Sequence, residues 1–245
     1  MVRGRQDFGS TAESTQVYGI NDLGELAVRL GSPVDYDRAG NVLLMENFDS
    51  RVNDWFEWQV ATWGAGGSVI LSHDRSLHGR YSAKGVCGTS NSQCFELGRD
   101  LPFPQTGKLG AAITFFPDAN LHDVEILAFI KNGVTYFEAG LKVQADQEKL
   151  FYADSAGVYQ EVADGKLYGF EANCWHSVKL VFDLNADAYV RAMVNQTLVD
   201  LSAYALRSSA SVSNPEFGIV FRFTDGDGSA SVVYVDNIII TQNDI

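Results

Sequence analysis

Proline is scarce in this chain, with five residues in 245, while glycine is well represented at 23. That balance excludes a disordered low-complexity polymer and fits a globular chain rich in turns. No apolar run approaches the roughly eighteen residues that a membrane-spanning helix requires, so a membrane span is not expected. Positive charge is short as well: 18 Lys and Arg stand against 31 Asp and Glu, for a net charge of −13. Such an excess opposes non-specific binding to nucleic acid or an anionic membrane, and favours cations or basic partners. The four histidines, His73, His78, His122 and His176, show neither HxH nor HExxH spacing, which argues against zinc. The opening residues MVRGRQDFGSTAEST hold two arginines but no apolar stretch, so no secretory signal is expected. No GxSxG elbow occurs, and the glycines at 64–67 lack the Lys-Ser/Thr and helix of a phosphate cradle.

What is present is β-patterning on a large scale. Hydrophobic residues make up 46% of the chain and aromatics 12%, enough for a sandwich core. Alternation is clear in Val178–Leu180–Phe182 and Phe217–Ile219–Phe221–Phe223. Strand candidates follow one another from Trp55–Thr62 to Ser231–Thr241, separated by turn signals such as GAGG, KNG, DSAG and LNAD. Without interleaved helical patterns, this spacing predicts an all-β antiparallel sandwich rather than βαβ units. Val42–Asp49 and Val232–Thr241, both apolar with acid or amide residues, read as the side-by-side first and last strands of a jelly roll. They bracket residues 42–245 as one sandwich. Residues 1–41 stand apart as an extended N-terminal arm, one short helix and an entry strand. In that helix Leu23, Leu26 and Leu30 share a face, Asn21 or Asp22 caps, and Gly31 stops. A helix so short needs a surface to dock on, its own body or a neighbouring subunit.

Some short motifs stay open between two readings. Cys87 and Cys94 flank the turn GTSNSQ and either pair across a hairpin or remain reduced thiols. Cys174, beside Trp175, reads as a small buried hydrophobe. Asp225-Gly-Asp-Gly opens like an oxygen-rich Ca²⁺ loop, but Ala230 occupies the EF-hand glycine position and a hairpin turn is the better reading. Asn195-Gln-Thr197 is a glycosylation sequon.

The stretch Trp175–Asp183, followed by Ala188–Asn195 and Leu198–Asp200, resembles the concanavalin-like or laminin-G-like jelly roll. Glu46–Asp49, Trp55, His78–Lys84 and Tyr234–Asn237 are similar to the carbohydrate-binding-module version of that sandwich. The resemblance implies a structural Ca²⁺ joining the first and last strands, with Asn47, Asp49, Lys84 and Asp236 as candidate ligands through side-chain or backbone oxygens. The alternative is that Asp49 and Asp236 cap strand ends or pair with Arg51 or Arg80. Trp58 and Trp63 either stack on sugar rings or belong to the core. Retaining glycosidases of this fold share an ExDxxE-type strand that this chain lacks, and Glu125, Glu138 and Glu161 read as isolated. The chain is therefore expected not to be an enzyme.

The whole layout also resembles structural proteins of tailed-bacteriophage virions, decoration or cement proteins above all. That resemblance implies a virion location, contact with a major capsid protein or other virion subunits through Leu23, Leu26 and Leu30, and a homo-oligomer, a trimer among the options. The alternative is a carbohydrate-binding module or adhesin that recognises glycans.

Overall fold

The computed structural model describes residues 40–49, 58–89, 93–118, 121–162, 171–225 and 231–244. The helix and arm expected before residue 40 lie outside these residues, as does the DGDG turn beyond Asp225. Among the described residues every regular element is a strand. In chain order they are β1 Asn41–Glu46, β2 Gln59–Thr62, β3 Ser68–Ser72, β4 Ser82–Val86, β5 Gln93–Leu101, β6 Lys108–Pro117, β7 Leu121–Lys131 and β8 Thr135–Gln144. They continue with β9 Lys149–Ala153, β10 Tyr159–Glu161, β11 His176–Asp183, β12 Ala188–Val194, β13 Thr197–Asp200, β14 Arg207–Ala210, β15 Glu216–Asp225 and β16 Val232–Gln242.

Two eight-stranded antiparallel sheets face each other. Sheet A runs β13-β12-β11-β6-β16-β4-β3, with β1 also beside β16; sheet B runs β10-β9-β8-β7-β15-β5-β2, with β14 also beside β8. The predicted closure is there: β1 pairs with β16 from Asn41↔Gln242 to Glu46↔Ile238. Two strands carried too little apolar alternation to be foreseen. β13 and β14 are short edge pieces with mostly exposed side chains, and only their pairing with β12 and β8 makes them strands.

The core follows the period of two. Phe217, Ile219, Phe221 and Phe223 of β15 point inward and are fully buried, as are Val178, Leu180 and Phe182 of β11. Phe223 stacks on Phe95 of β5 at 4.6 Å and meets Phe115 of β6 edge-on, which ties the two sheets together. In β16 the inward set changes parity, from Val233 and Val235 to Ile238 and Ile240. The register shift between Asp236 and Ile238, with Asn237 at φ 45°, absorbs the extra residue and keeps both halves of the strand facing the core.

Cys87 and Cys94 are joined in a disulfide, which settles the pair left open above. Cys174 is exposed, contrary to the reading of a buried hydrophobe: it lies in the turn before β11, outside the alternating segment that begins at His176.

Candidate functional site

Two places in the sandwich bring chemistry-bearing side chains together. The first is a switch in sheet A. β16 pairs with β4 through residues 232–235 and with β1 through residues 238–242, so its neighbour changes at Asp236 and Asn237. Backbone groups at such a break need other partners. Asp236 Oδ2 accepts the peptide N–H groups of Leu77 (2.8 Å) and His78 (3.2 Å). Asp49, just past β1, accepts those of Arg80 (2.6 Å) and Tyr81 (2.9 Å) on Oδ1. Gly79 lies between these anchor points at φ 73°, and a Cβ there would run into the Asp49 carboxylate, so glycine is required on both counts. Both acids therefore hold one loop against the closing strands.

Burial pushes the Asp236 carboxyl up to about 6, against the opposite pull of the N–H groups it accepts. Asn237 is fully buried, and neither its amide oxygen nor its amide nitrogen has a hydrogen-bond partner. An orphaned amide oxygen and the two carboxylates are oxygen donors of the type a hard cation such as Ca²⁺ takes. Lys84 does not join it: its ladder positions face Tyr234 and Ile70, and its ammonium binds Asp74 at 2.8 Å. The Asn47 side chain is turned to the Asp49 N–H at 3.1 Å. The described cluster of three ligating atoms, on Cys87, Cys94 and Asp225, has both sulfurs in the disulfide and offers no thiolate.

The second place is the outer face of sheet B. Cross-strand register aligns Gln59, Gly98, Val220, Leu127 and Gly140 in one row across β2, β5, β15, β7 and β8. Apart from Gln59 at the edge, these side chains are absent or apolar, so the row forms a floor spanning four strand spacings, about 19 Å. Along one side runs the register Glu96–Arg222–Glu125–Lys142. Arg222 bonds the Glu96 carboxylate through Nε and that of Glu125 through Nη1 at 2.9 Å. Lys142 lies 3.9 Å from Asp123 and over the rings of Phe151 and Tyr159. Along the other side runs Asp100–Gly218–Phe129–Glu138–Arg207, where Glu138 accepts from Tyr136 (2.7 Å) and Arg207 (2.9 Å).

These two walls and the floor make a trough. At its β8 end the hydroxyl of Tyr159 lies over Gly140, within 3.1 Å of where a Cβ would stand. That hydroxyl is buried without a hydrogen-bond partner, and burial raises its pKa. Glu125 is the most buried of the wall acids at 7% exposure, and burial raises its carboxyl pKa despite the pull of Arg222.

No local pattern in the sequence marks this site. Glu125 and Glu138 read as isolated because their partners, Glu96, Arg222 and Arg207, are remote in the chain and become neighbours through β5, β14 and β15. The available signal was Asp123-x-Glu125, two acids on one face of a strand, and Arg222 set between two inward phenylalanines. Trp58 is corrected as a sugar-stacking residue. It is 4% exposed, packs against Phe221, and donates its indole N–H to Glu46 Oε2 at 3.3 Å. Trp63 is half-buried in the turn after β2, and its peptide N–H donates to the Cys94 carbonyl. Asn195 of the sequon is engaged inside the protein, its oxygen on the Ser177 N–H at 3.0 Å and its nitrogen 3.2 Å from His176 Nδ1. Leu23, Leu26 and Leu30 lie outside the described residues.

Among the described residues no helix is long and apolar enough to cross a membrane. No family model matches the chain, and no curated protein matches it in sequence. Solved structures do match in fold. The cellulose-induced protein Cip1 is 17% identical over 81% of this chain and 96% of its own, with a TM-score of 0.53. A carbohydrate esterase of the Shiga toxin-encoding bacteriophage phi24B is 14% identical over 83% of this chain and 99% of its own, with a TM-score of 0.54. An endo-β-1,4-glucuronan lyase from the fungus Trichoderma reesei is 12% identical over 82% of this chain and 96% of its own, with a TM-score of 0.55. Two of these three are named as enzymes, which overturns the expectation, drawn from missing motifs, that the chain is not an enzyme. At these identities the likeness shows the fold alone: an all-β antiparallel jelly-roll sandwich.

Proposed function

We propose that this protein recognises a glycan in the trough on the outer face of sheet B. The observation that carries the reading is the floor of Gly98, Val220 and Leu127, with Glu96, Arg222, Glu125 and Lys142 along one side and Asp100, Phe129 and Glu138 along the other. Sugars present hydroxyls at their rims and apolar C–H faces, and a site with an apolar floor and convergent polar groups is matched to both. The carbohydrate esterase and glucuronan lyase of similar fold support a glycan over a capsid as the partner. A virion setting, a capsid contact and a trimer rested on residues 1–41 and on overall layout, and nothing in the described residues supports them.

Calcium enters as a structural ion. Oxygens of Asp49, Asp236 and Asn237 would hold it, pinning the end of β1, the bulge of β16 and the loop at 77–81.

The test is calorimetric titration with soluble oligosaccharides, comparing the wild type with Val220→Trp, which fills the floor with a side chain that suits a strand. Binding by the wild type and a loss of at least about tenfold in the variant, with unchanged circular dichroism and Tm, is the expected result. Equal binding by both proteins would remove the trough as the site. Reducing-end release in the same mixtures reports whether binding is followed by cleavage.

A further inference from the structure

Resting on that reading, we infer that the ligand of the trough is a glycan without acidic groups, its sugars neutral or amine-bearing, and that uronate and sulfated polymers are excluded. The ground is how charge is distributed along the walls. A site that reads carboxylates or sulfates keeps cations uncommitted and directed at the ligand, since charge-assisted hydrogen bonds from Arg or Lys are the strong contacts to such groups.

Among the described residues the walls of this trough hold none. Arg222 is clamped between Glu96 and Glu125. Arg207 is 2.9 Å from Glu138. Lys142 lies 3.9 Å from Asp123, and its ammonium sits over the Phe151 and Tyr159 rings, 4.9 and 5.0 Å from their centroids. Asp100 adds a further acid at the open β2 end, its carboxylate accepting from the Gln59 amide at 3.2 Å. On the two walls Glu96, Glu125, Asp100 and Glu138 thus outnumber Arg222, Lys142 and Arg207. The surplus is in acceptors. Carboxylate oxygens accept hydrogen bonds from sugar hydroxyls and from ammonium groups, and they repel a second carboxylate. The net charge of −13 points the same way at long range, repelling polyanions and drawing in cationic chains.

The experiment compares oligosaccharides of equal length from three classes: β-glucan, chitosan and polyglucuronate. Each is titrated by calorimetry into the whole protein in low-salt buffer at neutral pH. The β-glucan or the chitosan oligomer is expected to bind at least about tenfold more tightly than the uronate. Raising sodium chloride to about 1 M, where the screening length falls to about 3 Å, is expected to weaken chitosan binding and leave β-glucan binding in place. In Asp100→Lys, an exposed position, uronate binding should rise several-fold while the protein stays folded. Polyglucuronate binding as well as or better than the other two at low salt would overturn the charge argument and leave the trough standing. Silence from all three classes would overturn the glycan reading itself, and this inference with it.

Discussion

Each sheet has one strand that changes neighbours along its length, and the two breaks are sealed in opposite ways. In sheet A, β16 passes from β4 to β1 at Asp236–Asn237. In sheet B, β8 passes from β14 at residues 135–138 to β9 at residues 141–144, with a break at Ala139–Gly140. The first is sealed from the same end of the molecule by charge: the carboxylates of Asp49 and Asp236 take four peptide N–H groups of one loop. The second is sealed from across the core by a neutral group. Tyr189 of β12 reaches through the sandwich, so that its hydroxyl accepts from the Gly140 N–H at 2.9 Å and donates toward the Ala153 carbonyl at 2.8 Å. A hydroxyl offers both roles on one atom, so it serves a peptide N–H and a carbonyl at this break at once. A carboxylate offers acceptance alone, and at the charged break the Asn237 side-chain amide is left without a hydrogen bond.

The difference has thermodynamic consequences that can be pressed from either side. The largest expected effect is at the neutral seal. Tyr189→Phe removes the hydroxyl and leaves a buried N–H and C=O unmatched, at a cost of about 3 kcal/mol by urea denaturation. A loss below about 1 kcal/mol would mean that the break is tolerated without its seal.

Next comes the pH response of the charged seal. Asp236 has a folded-state pKa raised to about 6 from 3.8, so between these values the folded protein binds more protons than the unfolded chain. Stability contributed by this group is therefore greatest at the acid end and falls as pH rises through about 4 to 6, by up to about 3 kcal/mol in calcium-free buffer. Asp236→Asn should flatten that part of the profile. Burial raises Glu125 in the same direction, so the comparison with Asp236→Asn, rather than the slope alone, isolates the seal. Tyr189, whose burial raises its pKa further above the ordinary phenol, adds no slope in this range. Calcium should raise Tm in the wild type at neutral pH by mass action, and a chelator should reverse it. No change on either addition would show that the Asn237 amide has some other role.

The smallest effect is expected at Gly79→Ala, which introduces a side chain at a positive φ against the Asp49 carboxylate. The cost should be about 1–2 kcal/mol, and the calcium response should weaken with it. Unaltered stability would mean that the loop can re-seat without the two carboxylates.

Much of the fold was legible because burial writes itself into a strand as alternation. β8, β9, β11 and β12 run between the residues expected from their patterns. β13 and β14 were not legible, since edge strands with exposed side chains carry no such record. The closure of the first and last strands was readable from Val42–Asp49 and Val232–Thr241; that Asp49 and Asp236 bind one loop was not. Lys84 failed as a ligand because its place in the β4 ladder commits its backbone, and its ammonium goes to Asp74. Trp58 failed as a stacking residue because Glu46, twelve positions earlier, meets its indole inside the sandwich.

The amino-acid order by itself determined the class of fold, the interior face of the long strands and the closing pair of strands near the two ends. Each of these depends on a local period or on a residue type next to a turn. Which outward-facing side chains meet was decided by strand order alone. Glu96, Arg222 and Glu125 lie far apart in the chain and reach one another because β15 is inserted between β5 and β7. The trough, its paired cations and its unpartnered tyrosine hydroxyl exist only once sheet B is assembled, because cross-strand neighbours are set by register and leave no trace in local sequence.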